Sequence, residues 1–206
     1  MPVYRNGGAV IINRKVLDKY NLDVPESYND LLKEEYRNMI SMPNPVSSGT
    51  GYMFLLSMVN ELGEEDAYRY FDSLSENILQ FTSSGSGPIN ALITEEVAIG
   101  LGITATAVNA INEGENLEIV FFEEGSPYAL YGYGIVEGKQ NNPAVKEVFD
   151  YLYSEYGYEN CAIYCPEPIY KDITYTVENY PENINYSDMY GDTAQRKEYL
   201  LSKWRY

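Results

Sequence analysis

Short apolar runs alternate with amphipathic stretches along most of the chain. The runs, rich in aliphatic residues and bounded by turn residues, predict buried strands at 9–12, 78–81, 97–102 and 117–122. A further apolar run, 39–42, stops at Pro43. Apolar residues at intervals of three and four predict helices at 16–20, 52–62, 67–74, 89–93 and 105–111. Strands that alternate with helices predict an α/β fold, with a mostly parallel sheet flanked by helices.

The pattern weakens toward the C-terminus. Residues 131–136 predict another strand, whose two glycines indicate a bend. Asn142 precedes a predicted helix, and Thr193 caps a second predicted helix that ends near Trp204. Between them, residues 157–192 have poor periodicity and many Tyr, Asn and Pro residues, so no regular element is predicted there.

Composition narrows the range of functions. The chain has 206 residues, of which 45% are hydrophobic, and this is enough for a sizeable core. Its net charge of −17 would repel phosphate backbones and anionic lipid, so we expect no nucleic-acid partner. The absence of His removes the commonest general base and zinc ligand, and no nucleophile–base pair is apparent. We therefore expect a protein that is not an enzyme and has no cofactor.

Cysteine and tyrosine leave alternatives open. Cys161 and Cys165 have a C-x3-C spacing that matches neither a zinc ribbon nor a thioredoxin-like site, so they are two free thiols or one local disulfide. The 22 tyrosines are scattered along the chain. They serve packing and the surface, or a few of them stack on a sugar or bind a metal through phenolate oxygen.

Two turns rich in Ser and Gly are the main candidate site. The first Ser/Gly turn covers residues 47–51 and the second covers 82–88, and each precedes a predicted helix. The first N–H groups of a helix lack partners and carry roughly half a positive charge, so such turns bind anions without Lys or Arg. One such turn is explained by helix capping alone, but two in one parallel sheet converge at one edge. The candidate ligands are Ser47, Ser48, Gly49, Thr50, Ser83, Ser84 and Gly85.

Three carboxylate pairs are further candidates. They are Glu64-Glu65, Glu95-Glu96 and Glu123-Glu124. Adjacent side chains point in different directions, so solvated faces explain most of them. The last pair follows a predicted strand and precedes a Gly-Ser-Pro turn, where Glu124 could face a cationic group of a ligand.

Three segments resemble a known family. Residues 42–52, 81–88 and 97–102 are similar to the family-1 extracellular solute-binding proteins of ABC importers. Within it they most resemble the branch of ferric-ion, 2-aminoethylphosphonate and sugar-phosphate receptors. Residues 8–13 resemble the first interlobe strand, and residues 27–36 match the segment SW-x-DLL-x-x-x-Y with Tyr28 in place of Trp. The similarity also covers 122–125, 143–152 and 193–204.

The resemblance implies a type II periplasmic-binding-protein-like fold, in which two lobes close on a ligand. It implies a first interlobe crossing at 1–13, a ligand-binding second lobe at 14–128, and a return crossing with the C-terminal part of the first lobe at 129–206. The N-terminal part of the first lobe would then be missing, as in a truncated chain. The implied location is extracellular or periplasmic, with a lipoprotein tether possible in a full-length protein.

One departure bears on the ligand. Ferric-binding relatives carry a Tyr-Tyr pair where this chain has Ile103 and Thr104, so we expect no tight Fe³⁺ site. The resemblance implies capture of a small organic anion of the phosphonate or sugar-phosphate class, with Thr104 adding a hydroxyl and an ABC permease as partner. A ferric or polyamine receptor remains an alternative. An adaptor domain that senses a ligand and signals to a partner is an alternative of another class.

The implied truncation predicts uncovered apolar surface. The side chains expected to be partly exposed are Val145, Val148, Phe149, Leu152, Leu200 and Trp204. Because large apolar patches are uncommon on soluble monomers, either these helices collapse onto the second lobe or two chains cover each other's patches. We therefore expect self-association or a partly mobile C-terminal region. With one wall of the cleft absent, ligand binding should also be weak.

Overall fold

The computed structural model describes residues 2–162, 164, 166–170 and 176–206. Its strands are β1 (Pro2–Asn13), β2 (Ile40–Pro43), β3 (Ile78–Thr82), β4 (Ile99–Ile103), β5 (Leu117–Val120) and β6 (Tyr128–Gly132). Its α-helices are α1 (Arg14–Tyr20), α2 (Gly49–Leu62), α3 (Glu64–Ser75), α4 (Gly87–Ile93), α5 (Thr104–Asn112), α6 (Pro143–Leu152), α7 (Glu155–Cys161) and α8 (Ala194–Ser202). Short 3₁₀ helices cover Asn29–Leu32 and Glu34–Tyr36.

The strands form one mixed sheet with the order β3-β2-β4-β1-β5. β2 pairs in parallel with β3 and with β4, whereas β1 is antiparallel to β4 and β5. The predicted α/β fold is confirmed. β2, β3 and β4 are parallel to one another, as predicted, whereas β1 runs in the opposite direction. Parallel strands end at one edge, so the loops after β2, β3 and β4 lie side by side.

β1 is longer than the apolar run 9–12 predicted. Residues from Gly8 to Asn13 pair with β4 and β5, whereas residues from Pro2 to Gly7 pair antiparallel with β6. One strand therefore leaves the main sheet and enters a second pairing. The proposed division at residues 13 and 128 stays a prediction, although β1 contributes to both pairings.

The core lies on both faces of the sheet. Side chains alternate along a strand, so Val10 and Ile12 belong to the larger apolar cluster and Ala9 and Ile11 to the smaller one. The larger cluster contains residues of α2 and α3, and the smaller contains residues of α4 and α5. Both faces of the sheet are thus covered, and the edge that carries the Ser/Gly turns keeps its loops at the surface.

The region of helix α8 is packed more closely than expected. Leu200 and Trp204 are buried in the larger cluster and are not exposed. The Trp204 ring packs edge-to-face on Phe71 and Phe81, with ring centroids 5.2 and 5.8 Å away. Since these contacts hold the C-terminal helix against α3 and β3, the prediction of exposure was wrong for Leu200 and Trp204.

Helix α6 differs from α8. It has no buried residue, and Val148 is 58% exposed. Val145, Val148, Phe149 and Leu152 line a groove together with residues 132–136. The expected partial exposure is confirmed for all four side chains, since Val145, Phe149 and Leu152 are half-buried and Val148 is exposed. Self-association stays a prediction.

Two local predictions were wrong. A strand was predicted at 131–136, but the strand in this region is β6, at Tyr128–Gly132. Its position follows from its antiparallel partner, the first half of β1, with the register running from Gly7↔Tyr128 to Pro2↔Gly132. Helix α7 lies partly in the stretch for which no regular element was predicted, and Ser154 caps it by accepting from the Gly157 N–H.

Cys165 lies outside the described residues, and the pairing alternatives for Cys161 stay open. No helix of the described chain is long and apolar enough to cross a membrane.

Candidate functional site

The two Ser/Gly turns lie next to each other. They follow β2 and β3, which are parallel neighbours in the register Pro43↔Thr82. The Asn44 N–H donates to the Thr82 carbonyl at 2.8 Å and joins the beginnings of the turns. The structure therefore brings the two predicted turns to one edge of the sheet.

The first turn begins helix α2. Ser48 is the N-cap, and its side chain accepts a hydrogen bond from the Gly51 N–H at 3.4 Å. This bond satisfies one of the orphan N–H groups of the helix. Ser47 and Gly49 are exposed beside it, whereas Thr50 is buried. The structure thus assigns Ser48 a capping role and leaves Ser47 and the Gly49 backbone facing solvent.

The second turn presents hydroxyl groups to solvent. Ser83 and Ser84 are both exposed. The Ser84 and Ser86 hydroxyls lie 3.1 Å apart, and Thr82 Oγ1 donates to the Ser84 carbonyl at 2.9 Å. These short-range bonds order the turn and leave the Ser83 side chain without a hydrogen bond among the described residues.

Gly85 is the contact between the two turns and β4. A methyl group at this position would overlap Thr50 Oγ1 and lie 2.7 Å from Ile103 Cδ1. Its carbonyl accepts from the Ile103 N–H at 3.3 Å. Only a residue without a side chain permits this close approach. The end of β4 thereby joins the site.

Thr104 carries an unpaired buried hydroxyl. It is the first residue of α5, and only 1% of its surface is exposed. Among the described residues, Thr104 Oγ1 has no hydrogen-bond partner. An unsatisfied buried hydroxyl costs about 1–3 kcal/mol, so Thr104 has an unused donor beside the Ser/Gly turns.

Glu124 contacts Tyr28 and not the other candidates among the hydrogen bonds of the described residues. Its carboxylate accepts from the Tyr28 N–H at 3.3 Å, and the Tyr28 hydroxyl donates to the Gly125 carbonyl at 3.2 Å. Burial, with Glu124 as the second cause, raises the pKa of Tyr28 well above its usual value. No hydrogen bond or ion pair joins Glu124 to either Ser/Gly turn within the described ranges. Its ligand-binding role stays a prediction.

The structure adds residues that sequence reasoning did not single out for the site. The Arg5 guanidinium lies over the rings of Tyr128 and Tyr186, 4.9 and 4.5 Å from their centroids, and pairs with Glu167 at 2.5 Å. The Tyr131 hydroxyl lies 3.8 Å from the position of a methyl group at Gly49. Because residues 5 and 167 are 162 positions apart, local patterns gave no signal for this group.

Metal binding finds no additional support. No group of three or more Cys, Asp or Glu side chains that could hold an ion occurs among the residues that the structure describes. The expectation of no tight Fe³⁺ site stays a prediction.

The family is decided by comparison with known proteins. Residues 3–187 match the family described as bacterial extracellular solute-binding protein. The chain belongs to this family. An uncharacterized protein of Haemophilus influenzae is 30% identical over 202 residues, which are 94% of this chain and 58% of that protein. The chain thus spans little more than half the length of that relative.

Solved structures of periplasmic binding proteins have the same fold. The periplasmic binding protein AfuA from Actinobacillus pleuropneumoniae, with fructose-6-phosphate bound, is 26% identical with a TM-score of 0.89. The periplasmic binding protein P5PA is 25% identical with a TM-score of 0.86. The alignments cover 98% of this chain and 66% and 67% of those chains. The predicted periplasmic-binding-protein-like fold is therefore confirmed.

Proposed function

We propose that this chain is the substrate-binding component of an ABC importer, or part of one, and that it captures a small organic anion of the sugar-phosphate or phosphonate class. The observation that carries the proposal is the meeting of the two Ser/Gly turns beside the unpaired Thr104 hydroxyl. Backbone N–H groups and hydroxyls gathered at one sheet edge suit a phosphoryl group.

The acidic surface fits such a site. With a net charge of −17, the chain attracts an anion only where local donors outweigh the general repulsion. The exposed Ser47, Gly49, Ser83 and Ser84 offer donors whose strength does not depend on surrounding lysines. The fructose-6-phosphate bound to AfuA is an anion of the expected class.

The transport role rests on the family. An extracellular or periplasmic location, a permease partner and the lack of enzymatic activity accord with the family's description as extracellular solute-binding proteins. In this proposal, ligand favours a closed state of the cleft by contacting both of its sides, and the permease recognises that state.

The test is a calorimetric titration of the chain with fructose 6-phosphate, 2-aminoethylphosphonate and neutral fructose. We expect at least one of the two anions to bind and fructose to bind at least tenfold more weakly. Thr104→Val removes a buried hydroxyl that has no partner among the described residues, so it should raise folding stability and not lower it. It should lower anion affinity about tenfold, since a hydrogen bond to a charged group contributes about 1.5–3 kcal/mol.

Thr106→Val on the same helix is the matched control, because Thr106 is half-buried and lies two positions farther along α5. Equal affinities for the chain and its Thr104→Val variant would contradict the proposed site. Equal binding of fructose and fructose 6-phosphate would contradict the anion class.

A further inference from the structure

Arg5 is held in an unusual setting on β1. Its Nη1 pairs with Glu167 Oε1 at 2.5 Å, and its guanidinium carbon lies over the Tyr128 and Tyr186 rings, which contact each other edge-to-face. Arg5 Nε is buried and has no hydrogen-bond partner among the described residues. The contacts with the two rings and with Glu167 hold the guanidinium in place, so its N–H groups are preorganised to bind an oxyanion.

The Glu167 carboxylate is surrounded by donors. Besides the Arg5 contact, its Oε2 accepts hydrogen bonds from the hydroxyl of Tyr186 and, at 3.5 Å, from that of Tyr180. The Arg5 and Glu167 side chains keep 31% and 26% of their surface exposed. A guanidinium and two phenols thus form a cage for one oxyanion, and solvent reaches it.

The cage adjoins the candidate site. A methyl group at Gly7 would lie 3.2 Å from the Tyr186 hydroxyl and 3.4 Å from Thr104 Oγ1. The Tyr186 hydroxyl and the unpaired Thr104 hydroxyl are therefore neighbours across the Gly7 backbone. The cage and the two Ser/Gly turns both lie near Thr104, which is the first residue of α5.

The cage supplies what the Ser/Gly turns lack. Ser, Thr and backbone N–H groups are neutral donors, whereas a phosphate monoester carries up to two negative charges. Several other basic side chains of the described chain are paired elsewhere, as in Arg14–Glu118, Arg37–Glu76 and Lys203–Glu64. The Arg5 guanidinium contacts Tyr186, a neighbour of Thr104, and its partner Glu167 is an anion of the chain itself.

We propose that Arg5, Tyr180 and Tyr186 form a second anion subsite, continuous with Thr104, in which the Glu167 carboxylate lies and from which a phosphate or carboxylate of the ligand displaces it. This inference rests on the proposed anion-binding function and names the residues that select for charge. The Glu167 carboxylate then competes with the ligand for the Arg5 guanidinium. A weakly charged solute cannot displace it, so the subsite selects for strongly charged anions.

The test measures affinity for inorganic phosphate and fructose 6-phosphate in the full chain and three variants. Glu167→Gln removes the competing charge and keeps the shape of the side chain, so both affinities should rise about tenfold. Arg5→Gln removes the cation, so both should fall at least tenfold. Glu182→Gln changes the net charge equally at an exposed position of the same C-terminal part and should leave both affinities within twofold.

A purely structural role predicts the opposite pattern. If the Arg5–Glu167 pair only fastens residues 167–169 to β1, Glu167→Gln lowers the melting temperature and leaves the affinities unchanged or weaker, and the subsite proposal is overturned. If in addition Thr104→Val weakens binding, the proposed function stands while the subsite falls. If neither the chain nor Glu167→Gln binds either anion, both fall.

Discussion

A single missing side chain determines how close the two Ser/Gly turns lie. At Gly85, any Cβ would meet both Thr50 of the first turn and Ile103 at the end of β4. Thr50 is buried and therefore has little free space into which to move, and Ile103 is half-buried. The geometry of the site therefore depends on residue 85 as much as on the serines that face the ligand.

Gly85→Ala should consequently destabilise the chain. We expect the free energy of unfolding to fall by about 1–3 kcal/mol, as is usual when a group is added to a filled space. Gly134→Ala is the control, because a methyl group at Gly134 would have no neighbour within 4 Å. It should change stability by less than about 0.5 kcal/mol. Denaturant unfolding measures both, and equal midpoints would show that the turns do not touch as described.

At the scale of helices and strands, predictions succeeded where signals were local. The caps at Asn142 and Thr193 were identified from sequence, and each side chain accepts from an N–H in the first turn of its helix. The C-cap of α2 is Gly63, at a φ of 83°. The Ser/Gly turns were found in the same way, since each one follows a strand and precedes a helix in a few adjacent residues.

Predictions failed where distant segments supply the stabilisation. The first half of β1 is a strand because β6 pairs with it, and the polar residues there carry no apolar run. Helix α8 is held against the core by Leu200 and by Trp204, which follows the helix and whose partners Phe71 and Phe81 lie far away in sequence. The Arg5 cage likewise joins residues from opposite ends of the chain. One sequence without an alignment carries no signal for such pairs.

At the scale of the whole molecule, the chain has 22 tyrosines and no histidine. Burial raises the pKa of Tyr68, with Glu64 as the second cause, to about 12, and burial also raises that of Tyr158 to about 12. The Tyr68 hydroxyl donates to the Leu200 carbonyl at 2.7 Å and ties α3 to α8. Stability above neutral pH therefore depends on keeping these phenols protonated.

The sign of the pH dependence follows from linkage. Above pH 10 the phenols of the unfolded chain lose protons, whereas the buried ones keep theirs up to about pH 12. The free energy of unfolding should thus fall steadily from pH 10 to 12, after a flat range near neutrality where no imidazole titrates. Tyr68→Phe should lower stability at pH 7 by about 1 kcal/mol through the lost hydrogen bond and make the alkaline decline shallower.

Tyr190→Phe is the control for this effect, because Tyr190 is 83% exposed. Its stability curve between pH 7 and 12 should follow that of the unmodified chain. An identical alkaline slope for Tyr68→Phe and the unmodified chain would show that Tyr68 does not contribute to the decline.

The central claim is that the two Ser/Gly turns and Thr104 form one anion site, and amide shifts in an ¹⁵N–¹H NMR titration with fructose 6-phosphate test it most directly. The account predicts saturable shifts, absent with fructose, at the amides of Gly49, Thr50, Ser84, Gly85 and Thr104. A groove of mixed charge between α3 and the C-terminus, in which Arg69, Lys203 and Arg205 lie among Glu64, Glu65 and Asp72, is the competing location. Shifts confined to that groove, or no shift at the five amides at the highest ligand concentration, would contradict the account.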